Sequence, residues 1–597
     1  MTGTKYEQVW NLDNLFPGGS ESPSFDSYVK QLELEINGLE EKLNLFGNLI
    51  EINESLRLES VIKNIGDIQE KLSQANSFIT CLTAQNTKDQ GAVVLREVIS
   101  VMNARFESVI KKFQHIILET DEDNWTEIIE TKALAECRFV LIVWREKAKM
   151  LLSEKEEMLI SDLMMDGYHA WRQFYNSLIG RIKINVPFGE ESKELSVGQT
   201  FNLRSHSNED IRKAAHIALE EALQEKEELF AQILNNIAGF RLQVYKSRKL
   251  PHILTEPLIE NHLKVQTLNA MWSVIDKYKK PFTNYLKGKA KMYGDTKMQS
   301  YNFWAPIGES KQKLSYEEAV DFILESFSRF GNELGDFARQ AFDKGWVEAE
   351  NRTNKSTAGF CANFPLTGES RVFMTYEEGI TNVLTLAHEL GHAFHNDAMK
   401  TVDGINRQYP LSIAETASFF AEQTLLDAVL EKAESKEEKL FLLDEKLKRS
   451  VMNFMNIHSR FLFEKNFYEE RKNGRLSAER LNELMQEAFD VAYDGSFDNP
   501  SLRSWIWTPH YYITTSPFYN FPYTFGYFFA LSLYAKSKEK GKSFEKDYIA
   551  LLRDSGSMSI EDLVMKHLGE DITSKDFWEN GIKLCVKDVE EFMSLVS

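Results

Sequence analysis

Hydrophobic residues recur at three- and four-residue spacing along most of the chain, a pattern typical of amphipathic helices. The pattern begins near residue 25, in FDSYVKQLELEINGLEEKLNLF, and continues to about residue 180. It is clear in Ala92–Leu118 and in Trp125–Met164. We therefore predict a mainly α-helical protein.

Two segments break this pattern. Ile182–Asn202 contains Pro, Gly and β-branched residues, which predict a loop with short strands. We place a boundary there, between an N-terminal helical lobe, residues 1–185, and a second region, residues 186–597. In Ser356–Thr375, two aromatic and β-branched segments flank Leu366–Glu369, which predicts a small hairpin or sheet.

The other elements follow from caps and periodicity. Ser207–Asp210 opens a helix with Ser or Asn as its N-cap. Further helices are predicted for Asp210–Lys246, Gln266–Met292 and Tyr316–Lys344, and from Tyr376 to the end of the chain. Tyr301–Gly308 is predicted to be a turn-rich connector. The aromatic-rich segment Trp505–Tyr527 is the exception to the helical pattern after Tyr376.

Composition and charge exclude several function classes. The 597 residues are 43% hydrophobic and carry a net charge of −20, and such an acidic surface repels phosphate backbones, so we expect no nucleic-acid binding. No apolar run approaches the roughly 20 residues of a membrane span. The four cysteines show no CxxC spacing, which favours free thiols, and the N-terminus does not resemble a signal peptide. We expect a cytoplasmic protein.

One motif indicates metal chemistry. His388, Glu389 and His392 form an HExxH motif. Four residues turn a helix by about 400°, so both histidines share a face and can chelate one tetrahedral Zn²⁺. Glu389 lies beside them and can act on a water molecule without ligating the metal. In a chain of this composition the motif arises by chance only about 0.02 times.

His395 lies on the same face as His388, but we predict a packing or supporting residue rather than a third ligand. The metzincin continuation of HExxH needs a glycine three residues after the second histidine and a histidine six residues after it. Those positions hold His395 and Ala398, which excludes that class.

A glutamate from a following helix is the other source of a third ligand. Glu415 lies in the predicted helix Leu411–Glu431, among small and apolar residues. A buried carboxylate without a partner is costly, so Glu415 needs a cation, which could be zinc or an ordinary salt-bridge partner. Glu422 shares its face, and either orients a ligand or has only a structural role.

A third cluster lies in Trp505–Gly526, which holds His510, Tyr511, Tyr512, Tyr519 and Tyr523. It could be an aromatic corner of the core. Alternatively, histidine and tyrosine side chains suit the stabilisation of the oxyanion that forms when a peptide bond is attacked.

Together these motifs resemble the M3 family of zinc peptidases, specifically its oligoendopeptidase F branch. The resemblance covers nearly the whole chain and is weakest between about residues 25 and 190. It rests on Trp10–Leu12 and Leu15–Pro17, Asp210–Ala214, Ile233–Ile237, Lys355–Ser356, Gly359–Cys361, His388–His395, Ala414–Glu422, Pro509–His510 and Pro517–Tyr519.

The resemblance implies a fold and a set of roles. The fold would be two helical lobes enclosing a deep channel, with a small β element beside the zinc-binding helix, as in zincins of the gluzincin type. Residues near Arg371–Thr375 would offer a strand edge to a peptide. The implied roles are His388, His392 and Glu415 as ligands of one Zn²⁺ per chain, Glu389 as general base and proton shuttle, and His510, Tyr519 and Tyr523 as substrate-binding and oxyanion-stabilising groups.

This sequence departs from the family pattern at Phe521–Tyr523, where a tyrosine-glutamine-tyrosine run is frequent. The departure concerns the tyrosine-bearing segment alone, and the ligand set shows no departure.

The resulting hypothesis is a zinc-dependent endopeptidase that hydrolyses internal bonds of short oligopeptides, because a channel excludes folded proteins. The alternatives are a peptidyl-dipeptidase of the same fold, a non-catalytic peptide-binding protein, and a helical scaffold with an accidental HExxH. The intact Glu389 argues against the non-catalytic protein, since metal binding alone does not require this residue. The sequence gives no indication of oligomeric state.

Overall fold

A computed structural model describes residues 5–46, 50–308 and 313–596. The helices are α1 Pro23–Asn44, α2 Ser55–Gln85, α3 Gln90–Glu119, α4 Glu122–Ile129, α5 Arg138–Lys149, α6 Glu154–Met164, α7 Ala170–Ile179, α8 Val197–Asn202, α9 Glu209–Gln224, α10 Glu227–Ser247, α11 Thr255–Glu260, α12 Val265–Lys277, α13 Lys279–Met292, α14 Tyr316–Phe330, α15 Asn332–Asp343, α16 Ile380–Ala398, α17 Leu411–Ala414, α18 Thr416–Lys432, α19 Lys436–Val451, α20 Ile457–Arg471, α21 Ala478–Tyr493, α22 Ser504–Trp507, α23 Phe521–Lys540, α24 Phe544–Arg553, α25 Ile560–Leu568 and α26 Lys575–Val596. The strands are β1 Ile184–Phe188, β2 Glu191–Leu195, β3 Met298–Gln299, β4 Val347–Glu348, β5 Phe360–Phe364, β6 Glu369–Phe373 and β7 Phe497–Asp498. The predicted mainly helical fold is confirmed.

One long predicted helix is divided by a specific contact. The segment Tyr316–Lys344 forms α14 and α15, which are separated at Gly331. A Cβ at Gly331 would lie 2.0 Å from the Glu545 carboxyl group, and Glu545 Oε1 accepts a hydrogen bond from the Leu334 backbone N–H at 3.0 Å. The carboxylate therefore caps the start of α15, a long-range contact that periodicity alone does not reveal.

The segment Ile182–Asn202 forms the predicted short strands, with β1 and β2 paired antiparallel and Ile184 opposite Leu195. The prediction of a loop was wrong for residues 197–202, which form α8. The reason is local, because the Ser196 and Gln199 side chains form a capping box that starts this helix.

The hairpin predicted in Ser356–Thr375 is confirmed and belongs to a three-stranded sheet of order β4-β6-β5. Strand β5 pairs antiparallel with β6, and β4 pairs parallel with β6. The expectation of a strand edge near Arg371–Thr375 was wrong, because Arg371 lies in the central strand β6. Strand β5 forms the edge of the sheet on one side of β6. The two-residue strand β4, which comes earlier in the chain, pairs with the other side of β6.

The chain forms two compact units. The first comprises Met1–Lys149, Gln312–Ala428 and Leu533–Asp571, and the second comprises Met150–Lys311, Val429–Ser532 and Ile572–Ser597. The boundary predicted between residues 185 and 186 stays a prediction.

The first unit has a hydrophobic core built from the apolar faces of α1–α5. This core extends to the three-stranded sheet through Ala362, Phe364 and Phe373. The opening segment joins the same core, since the Trp10 ring lies 5.5 Å from the Phe373 ring and its Nε1–H donates to Gln85. Ala362, Phe364 and Phe373 share one face of the sheet by register, so the helical core and the opening segment both pack on that face.

None of the helices in the described part of the chain has the length and apolar character needed to cross a bilayer. The four cysteines are free thiols, as predicted.

Candidate metal centre

The two HExxH histidines lie on α16 and point at the same carboxylate. His388 Nε2 lies 3.3 Å from Glu415 Oε2, and His392 Nε2 lies 3.6 Å from the same oxygen. One ligand atom from each of these three residues lies within 4.8 Å of the others. Two imidazole nitrogens and one carboxylate oxygen are a donor set that Zn²⁺ accepts, with a fourth position left open, so the residues present fit this metal.

Glu415 lies at a break rather than inside one continuous helix as predicted. It separates α17 from α18, with backbone angles φ −85° and ψ −1°. The Ser418 hydroxyl donates to the Glu415 backbone carbonyl at 2.9 Å and lies 3.0 Å from Glu415 Oε2. The break and this hydroxyl together fix the carboxylate in its direction toward the histidines.

The centre depends on a close approach between α16 and α18 at Gly391. A Cβ placed on Gly391 would lie 2.5 Å from the Ala417 carbonyl oxygen and 2.6 Å from Ser418 Cα. These are backbone atoms, which cannot move aside as a flexible side chain can. The glycine inside the motif therefore allows α18 to bring Glu415 within reach of both histidines.

We expect Gly391→Ala to weaken metal binding and to lower the free energy of unfolding of the metal-free protein by about 1–3 kcal/mol, the usual cost of overpacking. Competitive chelator titration and chemical denaturation measure the two effects. Gly38→Ala is the matched control, because Gly38 lies within α1 and a Cβ there would meet nothing within 4 Å. That variant should gain about 0.5–1 kcal/mol and keep its metal affinity. Equal metal affinity in both variants would contradict the role given to Gly391.

Two further contacts orient the histidines. Glu422 Oε2 lies 3.3 Å from His388 Nδ1, the contact that the shared helix face predicts. The His392 ring hydrogen-bonds the backbone carbonyl of Ala414. Because Nδ1 of His388 faces Glu422, Nε2 is the nitrogen directed at Glu415 and the one that would hold a metal ion, which would replace the proton on Nε2.

The electrostatics of the cluster favour a cation. Burial opposes a charge on His388, but hydrogen bonds to Glu415 and Glu422 outweigh it and raise the pKa of His388 to about 10. Burial and the charge of His388 lower the pKa of His392 to about 4. Burial opposes the charge on Glu415 as well, yet the two histidines lower its pKa to about 2. Glu415 therefore keeps its negative charge near pH 7, and without a metal ion the protonated His388 is the cation that this charge stabilises.

Glu389 is only 7% exposed and lies in the same cavity as the three donors. Burial raises its pKa to about 7, with the nearby Glu415 adding to the shift and His388 opposing it. A carboxyl group with such a pKa can both accept and release a proton near neutrality.

His395 is not among the converging donors. It is fully buried, its ring stacks on Tyr409 at 4.1 Å, and its Nε2 lies 2.9 Å from the Ser555 hydroxyl. The packing role predicted for His395 agrees with these contacts.

A cavity of about 590 Å³ contains this cluster within the first unit. Besides the motif residues and Glu415, its wall is formed by Ser73, Gly359, Phe360, Cys361, Asn363, Asn396, Arg407, Gln408 and Tyr409. Gly359–Cys361 lead into and begin β5, so the edge strand borders the cavity.

The sequence did not reveal every residue of this wall. No sequence pattern marked Arg407, Gln408 and Tyr409, because nothing in their local pattern shows that they face the HExxH helix. Gly391 did have one, since a glycine inside an otherwise buried apolar helix indicates a close backbone approach.

The aromatic cluster lies in the second unit. The His510 ring lies 5.3 Å from Tyr519 and 5.9 Å from Tyr523, and the two tyrosine rings lie 5.8 Å apart. His510 Nδ1 lies 2.7 Å from Asn520 Oδ1, and Arg460 Nη1, which can only donate, lies 3.4 Å from the same oxygen. His510 Nδ1 is therefore the hydrogen-bond donor.

This contact fixes the chemistry of His510. Burial lowers its pKa, and the nearby Arg460 lowers it further, so the ring is neutral near pH 7. A neutral imidazole that carries its proton on Nδ1 presents Nε2 as an acceptor. The hydrogen-bond donors that the cluster can offer to an oxyanion are then the hydroxyl groups of Tyr519 and Tyr523.

Comparison with known proteins gives a consistent result. The model of peptidase family M3 matches residues 202–584, more than half of the chain, and a model described as Oligopeptidase F matches residues 117–184. An oligoendopeptidase F homolog of Borreliella burgdorferi is 24% identical and one of Lactococcus lactis is 22% identical, each over 98% of this chain and 97% or more of the relative. The crystal structure of oligoendopeptidase-F from Enterococcus faecium, at 18% identity, covers 96% of this chain and 99% of its own, with a TM-score of 0.70.

The last of these likenesses concerns the fold alone, whereas the family match extends over the HExxH helix and Glu415. The chain belongs to peptidase family M3 and is a metallopeptidase.

Proposed function

We propose that this protein is a zinc-dependent endopeptidase that hydrolyses internal peptide bonds of short oligopeptides. The observation that carries the proposal is the convergence of His388, His392 and Glu415 in one cavity that also holds the Glu389 carboxylate. His388, His392 and Glu415 would hold one Zn²⁺ per chain, and Glu389 would remain outside the ligand set.

Bound Zn²⁺ lowers the pKa of water toward neutrality and polarises a carbonyl oxygen. Glu389 accepts the proton of the attacking water as general base and then delivers it to the leaving amine. Glu422 holds His388 in the tautomer and orientation that this site needs. The low exposure of Glu389 keeps bulk water from competing for its proton.

Strand β5 is proposed to bind the backbone of the peptide. In the described part of the chain it pairs with β6 on one side and with no strand on the other. An extended peptide can add to such an edge through main-chain hydrogen bonds, which hold a backbone without demanding a particular sequence. Short flexible chains adopt this extended form readily, which supports oligopeptides as substrates.

The aromatic cluster is proposed to bind the substrate and to stabilise the oxyanion. Tyr519 and Tyr523 would donate their hydroxyl protons to the oxyanion, and the neutral His510 would accept a hydrogen bond from a peptide N–H. This assignment differs from the expectation that His510 also donates to the oxyanion, because the single N–H of the neutral His510 ring donates its hydrogen bond to Asn520.

We expect Tyr523→Phe to lower kcat by about 10²-fold with a much smaller change in KM, because the hydroxyl would act mainly in the transition state. Steady-state kinetics on one short peptide measure both constants. Tyr512→Phe is the matched control, since the buried Tyr512 hydroxyl has no hydrogen-bond partner in the described part of the chain. An effect of Tyr523→Phe confined to KM would reassign the residue to ground-state binding.

Elemental analysis combined with metal removal tests the proposed function. The purified protein should contain one zinc per chain, lose peptidase activity with a chelator, and regain it with stoichiometric Zn²⁺. A protein without bound metal that still cleaves peptides, or a zinc-loaded protein that cleaves none, would contradict the proposal.

A further inference from the structure

The second unit contains a cavity of about 70 Å³ that the proposed peptide hydrolysis does not use. At 10–15 Å³ per water molecule, this volume has room for on the order of five waters. Ser300, Tyr301 and Trp304 line it and are only partly buried, which gives a small ligand a way in.

The charge of this cavity is opposite to that of the chain. Arg204 and Arg460 both line it, and none of the described residues that form its wall is Asp or Glu. The chain as a whole has 90 acidic and 70 basic residues, so two arginines in an acid-free wall depart from the general trend. The other titratable wall residues are His216, Tyr301 and Tyr493. Burial lowers the pKa of His216 to about 4 and raises the pKa of both tyrosines, so all three are neutral near pH 7 and the charge of the wall comes from the two arginines.

Neither guanidinium has a carboxylate within ion-pair distance among the described residues. Arg204 is held by aromatic faces instead, with its Cζ 4.0 Å from the Phe201 ring and 4.8 Å from the Trp507 ring. The negative charge of Glu220 acts on the pKa of Arg204, but Glu220 forms its ion pair with Arg503, at 3.5 Å. Both guanidinium groups belong to half-buried side chains, and a charge partly withdrawn from water without a carboxylate partner is costly, which indicates that an external anion belongs here.

Unused hydrogen-bond donors point to the same conclusion. The Nε1–H of Trp507, a wall residue, is buried and has no acceptor in the described part of the chain. The only side-chain hydrogen bond of Arg460 to a described residue is the one of 3.4 Å to Asn520. Arg204 donates no side-chain hydrogen bond to a described residue. The cavity therefore offers N–H donors from three side chains and lacks an anionic acceptor.

We propose that this cavity is a binding site for a small oxyanion, held by Arg204, Arg460 and the Trp507 indole N–H. Two sources share this chemistry, namely the carboxylate of a peptide and a free inorganic oxyanion. The peptide source rests on the proposed function, whereas the inorganic source does not.

An anion bound in this cavity would change the hydrogen bonding of the aromatic cluster through Arg460. Arg460 and His510 share Asn520 Oδ1 as acceptor, so an anion that draws the guanidinium toward itself leaves that oxygen to His510. The bound anion would therefore strengthen the hydrogen bond that fixes the tautomer of His510. Arg460 is in this sense a positioning residue as well as an anion ligand.

Calorimetric titration of the full-length zinc-loaded protein with sulfate and with acetate tests the proposal. We expect both anions to bind the wild type, and to bind Arg460→Gln and Trp507→Phe at least about tenfold more weakly, since hydrogen bonds to charged groups are strong. Trp507→Phe keeps an aromatic ring beside Arg204 while it removes the N–H and one ring of the indole, so it remains informative if Arg460→Gln does not fold. Arg480→Gln is the charge-matched control, because Arg480 is partly exposed, is paired with Glu470 and does not line the cavity.

A second arm identifies the source of the anion. The KM of one peptide is compared as free acid and as C-terminal amide, in the wild type and in Trp507→Phe. A lower KM for the free acid that disappears in the variant assigns the site to a peptide carboxylate, whereas equal KM values together with sulfate binding assign it to an inorganic oxyanion. Anions that do not bind the wild type, or that bind both variants as tightly as the wild type, overturn the proposal. The titrations need no turnover, so this result is independent of whether the wild type cleaves peptides.

Discussion

Replacing Glu389 by glutamine is expected to leave zinc binding intact and to lower kcat by about 10²–10⁴-fold, the range that general acid–base catalysis contributes. The amide has nearly the same size and shape as the carboxylate, but it cannot accept the proton of the attacking water. Glu389 lies in the cavity wall and is not one of the three converging donors, so the metal should remain.

Steady-state kinetics and elemental analysis of the same preparation measure kcat and zinc content together. Glu377→Gln is the control, because Glu377 is an exposed carboxylate that precedes α16 and does not line the cavity. It removes the same charge and should leave turnover unchanged. Near-normal turnover of Glu389→Gln with full zinc content would refute its role as base.

Replacing Glu415 by alanine is expected to have the largest effect on metal affinity. The substitution removes one of three donor atoms, namely the carboxylate oxygen that both histidines face. The loss should exceed the roughly 10–100-fold that follows from changing a supporting residue. Glu422→Gln supplies that comparison, because Glu422 contacts His388 Nδ1 on the side away from Glu415.

Competitive chelator titration of both variants checks this prediction. Activity should fall with zinc content in Glu415→Ala, and excess zinc should restore it only in part. Equal zinc retention in Glu415→Ala and the wild type would remove Glu415 from the ligand set.

The fold was largely predictable from local pattern. Periodicity indicated the helices, and caps such as Asn208 located where α9 begins, since the Asn208 side chain accepts hydrogen bonds from Asp210 and Ile211. What periodicity missed was caused by contacts between distant residues. Glu545 divides α14 from α15, and β4 turns β6 from an edge strand into a central one.

The metal centre was the most predictable part of the site, because the spacing of HExxH fixes two side chains on one helix face. Glu415 could be inferred from the cost of burying a carboxylate in an apolar segment. Its position at a helix break could not, because periodicity continues through Leu411–Glu431 without marking where α17 ends and α18 begins. The tautomer of His510 was equally hidden, since Asn520 and Arg460 determine it and neither is marked by a motif.

The central claim is that Glu389 drives hydrolysis of internal bonds in short peptides, and product mapping by mass spectrometry tests it most directly. A panel of peptides of mixed length is incubated with zinc-loaded wild type and with Glu389→Gln. We expect internal cuts in short peptides by the wild type and none by the variant. Stepwise release of C-terminal dipeptides, or no cleavage by either protein, would contradict it.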